Sequence, residues 1–138
     1  MIALYSIKPI YSDQIINGNK TFELRKRMPA NKLDYILIYS SSPVSKIIGF
    51  AEVKDVHKNS LAATWKYVSK NAGISKKDYL EYFNGCKDAY AIELGIVKKF
   101  IRPFDITELN PNCVPPQSFS YVDHKEFKRL IKRKTELV

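Results

Sequence analysis

The stretch "GNKTFELRKR", residues 18–27, decides the fold because apolar and charged residues alternate along it with a period of two. In an extended strand, Phe22 and Leu24 point to one face, and Glu23 and Arg25 point to the other. We therefore expect a strand with one face on the core. Its other face carries charges of both signs.

A short helix is expected immediately before this strand. Pro9 suits the first helical turn, and Gly18 suits the left-handed position that follows the last one. The sequence predicts a helix over residues 9–17, preceded by a first strand at residues 2–7. The turn at Gly18 would deliver the chain to the alternating strand.

Further along, β-branched runs predict strands, and helical spacing with serine caps predicts two helices. The predicted strands cover residues 33–40, 45–58, 88–100 and 101–109, and the predicted helices cover residues 60–73 and 75–85. Gly49 marks a bulge or bend in the second of these strands. The fold class is α+β, a mixed or antiparallel small barrel with flanking helices, because closure removes exposed strand edges.

The C-terminal residues predict an amphipathic helix. Asp123 and Glu126 form a D-x-x-E cap, and Phe127, Leu130 and Ile131 form an apolar stripe. The opposite face is basic, with Lys125, Lys128, Arg129, Lys132 and Arg133. This face is either a solvated surface or an extension of a nucleic-acid surface.

Composition limits the classes of partner. The 138 residues suit one domain, and the net charge of +9 with a pI of about 9.5 favours a polyanion. The two cysteines, Cys86 and Cys113, suggest a reducing cytoplasm, and neither His57 nor His124 is spaced with them as in a zinc site. No apolar run approaches the roughly 20 residues of a membrane span. We therefore expect a cytoplasmic protein with no membrane partner, no cofactor and no metal.

The opening stretch also resembles a known family signature. Five residues fit the pattern G-x-K-T-x-E-x-R, which resembles the signature of the ASCH domain in the PUA-like superfamily: Gly18, Lys20, Thr21, Glu23 and Arg25. The segments "KPIYSDQII", "YILIYSSSP", "IIGFAEV" and "PPQSFSY" are similar to those of small bacterial and phage ASCH proteins. The resemblance covers about residues 3–122 and implies an ASCH domain over residues 1–122. Residues 123–138 lie outside it, and their amphipathic pattern predicts a basic helix packed on the same domain. It also implies a PUA-like barrel whose cleft binds RNA or a modified nucleoside or nucleotide.

The resemblance also offers enzymatic alternatives. Some small ASCH proteins are amidohydrolases that remove acetyl from N4-acetylcytidine with a lysine, a threonine and a glutamate, and others are ribonucleases. Lys20 stands at the matching lysine, Glu23 stands where those amidohydrolases have the threonine, and Thr21 directly follows the lysine. If the protein is an enzyme, these three residues are its catalytic candidates. A DNA-associated regulator that uses the C-terminal helix is a further alternative.

The candidate binding residues share a place on the signature strand, at the end of a neighbouring strand, or in the proline-rich loop. The candidate ligand-binding residues are Gly18, Lys20, Glu23, Arg25, Arg27, Ser40, Ser41, Gln117 and Ser118, and the candidate nucleic-acid surface is Lys26, Lys128 and Lys132. Spacing alone also fits a solvated strand face whose ion pairs contribute only about 0–1 kcal/mol. The serines of residues 39–43 fit a phosphate nest, but a plain turn is the more common role of Ser and Pro at the end of a strand.

Overall fold

The computed structural model describes all 138 residues, folded as seven strands, four helices and one 3₁₀ turn. The strands are β1 (Ile2–Ile7), β2 (Phe22–Arg25), β3 (Tyr35–Ser40), β4 (Lys46–Ser60), β5 (Asp88–Phe104), β6 (Phe119–Val122) and β7 (Thr135–Leu137). The helices are α1 (Pro9–Ile16), α2 (Leu61–Val68), α3 (Lys76–Tyr82) and α4 (His124–Ile131), and the 3₁₀ turn is Ile106–Glu108.

The strands form a single mixed sheet in the order β2-β5-β4-β3-β1-β6, and β7 pairs with β5. β1 and β3 are parallel, and every other pair is antiparallel. The predicted α+β class is therefore confirmed. The sheet departs from a closed barrel in being open, with β2 and β6 as its edges.

A side chain, not a strand ladder, spans the gap between these edges. Arg25 at the end of β2 donates from Nη2 to the carbonyl of Ser6 at 3.1 Å, and its Nη1 lies 3.5 Å from Ser118 Oγ, just before β6. Because β2 and β6 have only four residues each, little backbone is left unpaired at the two edges.

The predicted strand at the signature is present, but both of its faces are covered. Phe22 and Leu24 pack with Val68 of α2 and Tyr79 of α3 in one hydrophobic cluster. Glu23, on the other face, is only 5% exposed. The charged face is therefore largely covered by other segments and is not an open strand surface.

Several element boundaries differ from the sequence-based ones. The two strands expected over 88–100 and 101–109 are one strand, β5, because pairing with β4 continues as far as Phe104 opposite Ile47. The middle helices are shorter than predicted. A last strand, β7, follows α4 and pairs with Lys98–Phe100 of β5, which the helical pattern of the C-terminal residues did not indicate.

α4 forms where the amphipathic pattern predicted a helix. The Asp123 side chain accepts a hydrogen bond from the Lys125 amide at 2.7 Å, and Phe127 and Leu130 are buried. Phe127 stacks near Tyr35 at the start of β3, with ring centroids 5.1 Å apart. No helix is both long enough and apolar enough to span a membrane.

Candidate functional site

A cleft of about 900 Å³ opens where β1 and β3 end, between α1, β2 and α3. Its wall combines charged, hydroxyl and aromatic side chains. The lining includes Ser6, Lys8, Tyr11, Lys20, Glu23, Arg25, Tyr39, Ser41, Ser42, Ser45, Asp78, Glu81, Tyr82 and Gln117. Clefts of this size with a few convergent polar groups are the usual form of a small-ligand or nucleotide site.

Three charged side chains of the signature form the floor of the cleft. Glu23 Oε2 lies 3.0 Å from Arg25 Nη2, and Glu23 Oε1 lies 3.6 Å from Lys20 Nζ. Lys20 is 3% exposed, which makes it one of the few buried charged residues in the chain. We call Lys20, Glu23 and Arg25 the floor triad.

Backbone pairing holds the floor triad in place. Glu23 lies opposite Ile92 in the β2–β5 ladder. The Lys20 amide donates to Gln14 O of α1 at 3.0 Å, and the Thr21 amide donates to Asn71 O at 2.8 Å. The segment that enters β2 is therefore fixed between two helical regions, and its side chains have little freedom.

Burial changes the acid–base chemistry of Lys20. Desolvation is the main cause that lowers the pKa of Lys20 from its ordinary value of 10.5, and the neighbouring Glu23 carboxylate opposes it. Its Nζ also donates to the carbonyl of Ala72. A lysine of this kind gives up its proton more readily than an exposed one.

Other groups of the protein contact most of the Arg25 guanidinium. Besides Glu23, Ser6 and Ser118, it lies over the ring of Tyr5, 4.7 Å from the centroid. Its Nε is buried and has no hydrogen-bond partner. Arg25 therefore orients Glu23 and joins the sheet edges, which leaves it few donors for a ligand.

The two rims of the cleft differ in charge. On one side lie Lys8 and the loop of residues 41–45, which we call the serine loop; its Ser41, Ser42 and Ser45 line the cleft. On the other side lies α3, which contributes Asp78, Glu81 and Tyr82. The Tyr82 side chain lies under Lys26, whose Nζ is 4.9 Å from the ring centroid.

Of the residues predicted to bind a ligand, five line the cleft: Lys20, Glu23, Arg25, Ser41 and Gln117. Ser118 contacts Arg25 from the proline-rich loop. Ser40 is buried behind the wall, with its Oγ 2.8 Å from Ser12 Oγ.

The remaining predicted residues lie outside the cleft. Gly18 adopts φ +85° in the exposed turn before β2, as its predicted left-handed role requires. Thr21 is half-buried and does not line the cleft. Arg27 is exposed beyond β2, and Lys128 and Lys132 are exposed at α4.

Sequence reasoning missed the aromatic part of the site. Tyr11 and Tyr39 line the cleft, and Tyr5 lies beneath Arg25. Tyr82 of α3 is 38% exposed and also lines the cleft. The helical and strand patterns give no sign of these positions. Only their proximity to the signature strand in three dimensions identifies them.

No cluster of three or more His, Cys, Asp or Glu side chains is placed to hold a metal ion. The floor triad, with one carboxylate and two cations, is suited to hydrogen bonding and proton transfer.

Comparisons with known proteins agree with this architecture. The family model of the ASCH domain matches residues 6–104. An ASCH domain-containing ribonuclease of Zymomonas mobilis subsp. mobilis is 32% identical over 133 residues, which cover 94% of this chain and 89% of the relative. The crystal structure of ASCH from Zymomonas mobilis has a TM-score of 0.85 at 30% identity, over 98% of this chain and 96% of that one. The N-terminal domain of Staphylothermus marinus McrB has a TM-score of 0.61 at 13% identity, over 96% and 94% of the two chains, and is alike in fold alone.

Proposed function

The chain belongs to the ASCH domain family, and from this premise we propose that it binds single-stranded RNA with one nucleotide in the cleft. A relative that matches 89% of its own length to this chain is named a ribonuclease, which supports RNA as the partner. The net charge of +9 supports a polyanion in the same way.

The single observation that carries the proposal is the carboxylate of Glu23 at the cleft floor, held between two cations. With Arg25 Nη2 at 3.0 Å and Lys20 Nζ at 3.6 Å, this carboxylate has a fixed orientation. A fixed carboxylate accepts a hydrogen bond from the exocyclic amino group of a base, as Glu and Asp do with cytosine N4. Glu23 therefore recognises the base by accepting this hydrogen bond, and Lys20 and Arg25 hold the Glu23 carboxylate in position.

The walls suit the rest of a nucleotide. Sequence-specific proteins recognise splayed-out RNA bases by stacking them on aromatic side chains, and Tyr11 and Tyr82 both line the cleft. The hydroxyls of the serine loop and the ammonium of Lys8 provide hydrogen-bond donors for a phosphate. The acids of α3 disfavour a phosphate on their side.

The test compares two exposed helical tyrosines. Tyr82→Ala removes the cleft aromatic, and Tyr67→Ala removes a tyrosine on α2 that is 57% exposed and lies outside the cleft. Because base–aromatic stacking contributes about 1–3 kcal/mol per base, Tyr82→Ala should weaken RNA binding by roughly 5-fold to 100-fold. Tyr67→Ala should leave it nearly unchanged.

The measurement is a fluorescence anisotropy titration with labelled single-stranded RNA at low salt, after circular dichroism has shown that both variants fold. If the wild-type protein does not bind RNA at low salt, the proposal is wrong. It is equally wrong if the two tyrosine variants bind alike.

A second function, RNA cleavage in the same cleft, is favoured by Lys20. Burial lowers the pKa of Lys20 from its ordinary value of 10.5, so its ammonium gives up a proton more readily than that of an exposed lysine, which favours a role in proton transfer. In cleavage by transesterification, the 2′-oxygen attacks the adjacent phosphorus, a base takes its proton, and the 5′-oxygen leaves with a proton from an acid. Lys20 would take the 2′ proton and return it to the leaving oxygen.

Lys20→Met tests this second function, because Met keeps much of the buried volume and removes the amine. Incubation of unlabelled RNA with the wild-type protein should give shorter products, and the variant should bind RNA but leave it intact. If the wild-type protein does not cleave the RNA, its function is binding alone. If Lys20→Met cleaves the RNA as fast as the wild-type protein does, the activity comes from another residue or from a contaminant.

A further inference from the structure

A second concavity, of about 360 Å³, lies on the surface formed by β5 and the C-terminal residues. It is lined by Ile101, Arg102, Arg133 and Lys134. The Ile101 amide donates to Lys134 O at 3.0 Å, so the two segments lie side by side. Three of the four lining side chains are cationic.

These cations are only partly neutralised by the protein itself. Arg133 pairs with Glu108 at 2.7 Å. Arg102 and Lys134 are exposed and take part in none of the ion pairs of the structure. Like charges gathered in this way repel one another, and a bound polyanion relieves that repulsion.

A chain of contacts through the buried pair Phe104 and Ile47 connects this concavity to the serine loop of the main cleft. The Arg133 guanidinium lies over the ring of Phe104, 4.6 Å from the centroid, and Phe104 pairs with Ile47 across the β4–β5 ladder. The neighbour of Ile47 is Lys46, which pairs with Asp105 and directly follows Ser45 of the serine loop. We call Lys46, Arg102, Arg133 and Lys134 the basic strip.

The opposite rim of the cleft is unsuited to a phosphate chain. Asp78 and Glu81 of α3 line it, both are exposed, and neither has a cationic partner within ion-pair distance. A strand that left the cleft over α3 would bring phosphates against two carboxylates. A strand that left over the serine loop would meet cations.

We propose that the RNA strand leaves the cleft across the serine loop and lies along the basic strip, with a backbone phosphate in the second concavity. This exit path rests on the proposed function, since it begins at a nucleotide held in the cleft. The strip contacts phosphates, so it adds affinity without choosing a sequence. Single-stranded DNA would fit the strip as well as RNA does.

The test removes two charges that the protein does not use for its own ion pairs. Arg102→Gln with Lys134→Gln changes the strip, and Lys66→Gln with Lys70→Gln removes two exposed lysines on or near α2 that line neither concavity. Both double variants lower the net charge by the same amount. The probe is a single-stranded RNA of mixed sequence, about 12 nucleotides long, titrated at several salt concentrations.

Because Arg102 and Lys134 line the concavity that holds one phosphate, their loss should reduce the slope of log K against log[salt] by roughly 0.7, the contribution of one single-strand phosphate contact. The α2 double variant should keep the wild-type slope. Equal slopes for the two double variants would overturn the exit path.

Tyr82→Ala separates this inference from the proposed function. If the affinity for the RNA falls in Tyr82→Ala but not in the strip variant, the cleft binds RNA and the exit path is wrong. If Tyr82→Ala binds the RNA with the same affinity as the wild-type protein, the proposed function is wrong, and the exit path, which begins at the cleft, is wrong with it.

Discussion

The buried hydroxyl of Tyr5 offers a quantitative check on the interior next to the cleft. Tyr5 is fully buried on β1, and its ring supports the guanidinium of Arg25. Its Oη has no hydrogen-bond partner in the chain. Tyr5→Phe deletes this oxygen and keeps the ring, so we expect the substitution to stabilise the protein.

The magnitude at neutral pH follows from the cost of an unsatisfied polar group. A buried donor or acceptor without a partner costs about 1–3 kcal/mol. Removal of the oxygen leaves a small void that offsets part of this gain. The free energy of unfolding should therefore rise by about 1 kcal/mol in Tyr5→Phe.

The change in the free energy of unfolding at alkaline pH gives a second, independent check on the environment of Tyr5. Burial raises the pKa of Tyr5 from 10.0 to about 12. The folded protein then holds the phenolic proton when the unfolded chain has lost it. The contribution of this proton to stability is fully present below pH 10 and is lost as the pH rises towards 12. At about pH 11 the loss is about 1.4 kcal/mol, and Tyr5→Phe should not show it.

The assay is urea denaturation of both proteins at neutral pH and at about pH 11, with linear extrapolation of the free energy. Tyr79→Phe is the matched control, because Tyr79 is also fully buried but donates to Leu61 O at 2.6 Å. Deletion of that satisfied hydroxyl should destabilise the protein by about 1 kcal/mol. If Tyr5→Phe destabilises the protein as Tyr79→Phe does, the Tyr5 hydroxyl has a partner and the reasoning is wrong.

Two further substitutions or assays address the floor triad. Arg25→Lys should lower the free energy of unfolding by about 1–3 kcal/mol, because a lysine cannot reach Glu23, Ser6 and Ser118 together. Urea denaturation measures this free energy. The control is Arg27→Lys at an exposed position, which should leave the free energy of unfolding unchanged. Acetate release from N4-acetylcytidine should be slow or absent, since the carboxylate of Glu23 would repel a developing oxyanion where amidohydrolases of the family have a threonine. Rapid release that Lys20→Ala abolishes would contradict this expectation.

The sequence predicted the signature strand and the residue types at its polar face, because both depend on local spacing. It did not predict that this face is buried. The cover comes from distant segments, since Lys20 Nζ donates to Ala72 O and the acids of α3 form the opposite wall. Local alternation reveals which residues share a face, but it does not reveal what packs on that face.

The same limit explains the sheet edges. The expectation of closure came from the general cost of exposed edges, and it assumed that backbone pairing would close the sheet. In the structure the chain brings Ser6 and Ser118 to Arg25 over separations of 19 and 93 residues, so one side chain spans the gap. No sequence pattern encodes a contact of that kind.

The open edge also determines how the site must be tested. If β2 and β6 were paired by backbone hydrogen bonds, the Arg25 side chain would not be needed between them. Because they are not, Arg25 both positions Glu23 and links the edges of the sheet. Loss of RNA binding in an Arg25 variant could therefore come from either role. Tyr82 is 38% exposed on α3, where its ring packs against Phe83 and lies under Lys26, the residue that follows β2. Once circular dichroism has shown that Tyr82→Ala folds, its RNA binding reports on the cleft, and unfolding measured in Arg25→Lys reports on the edges.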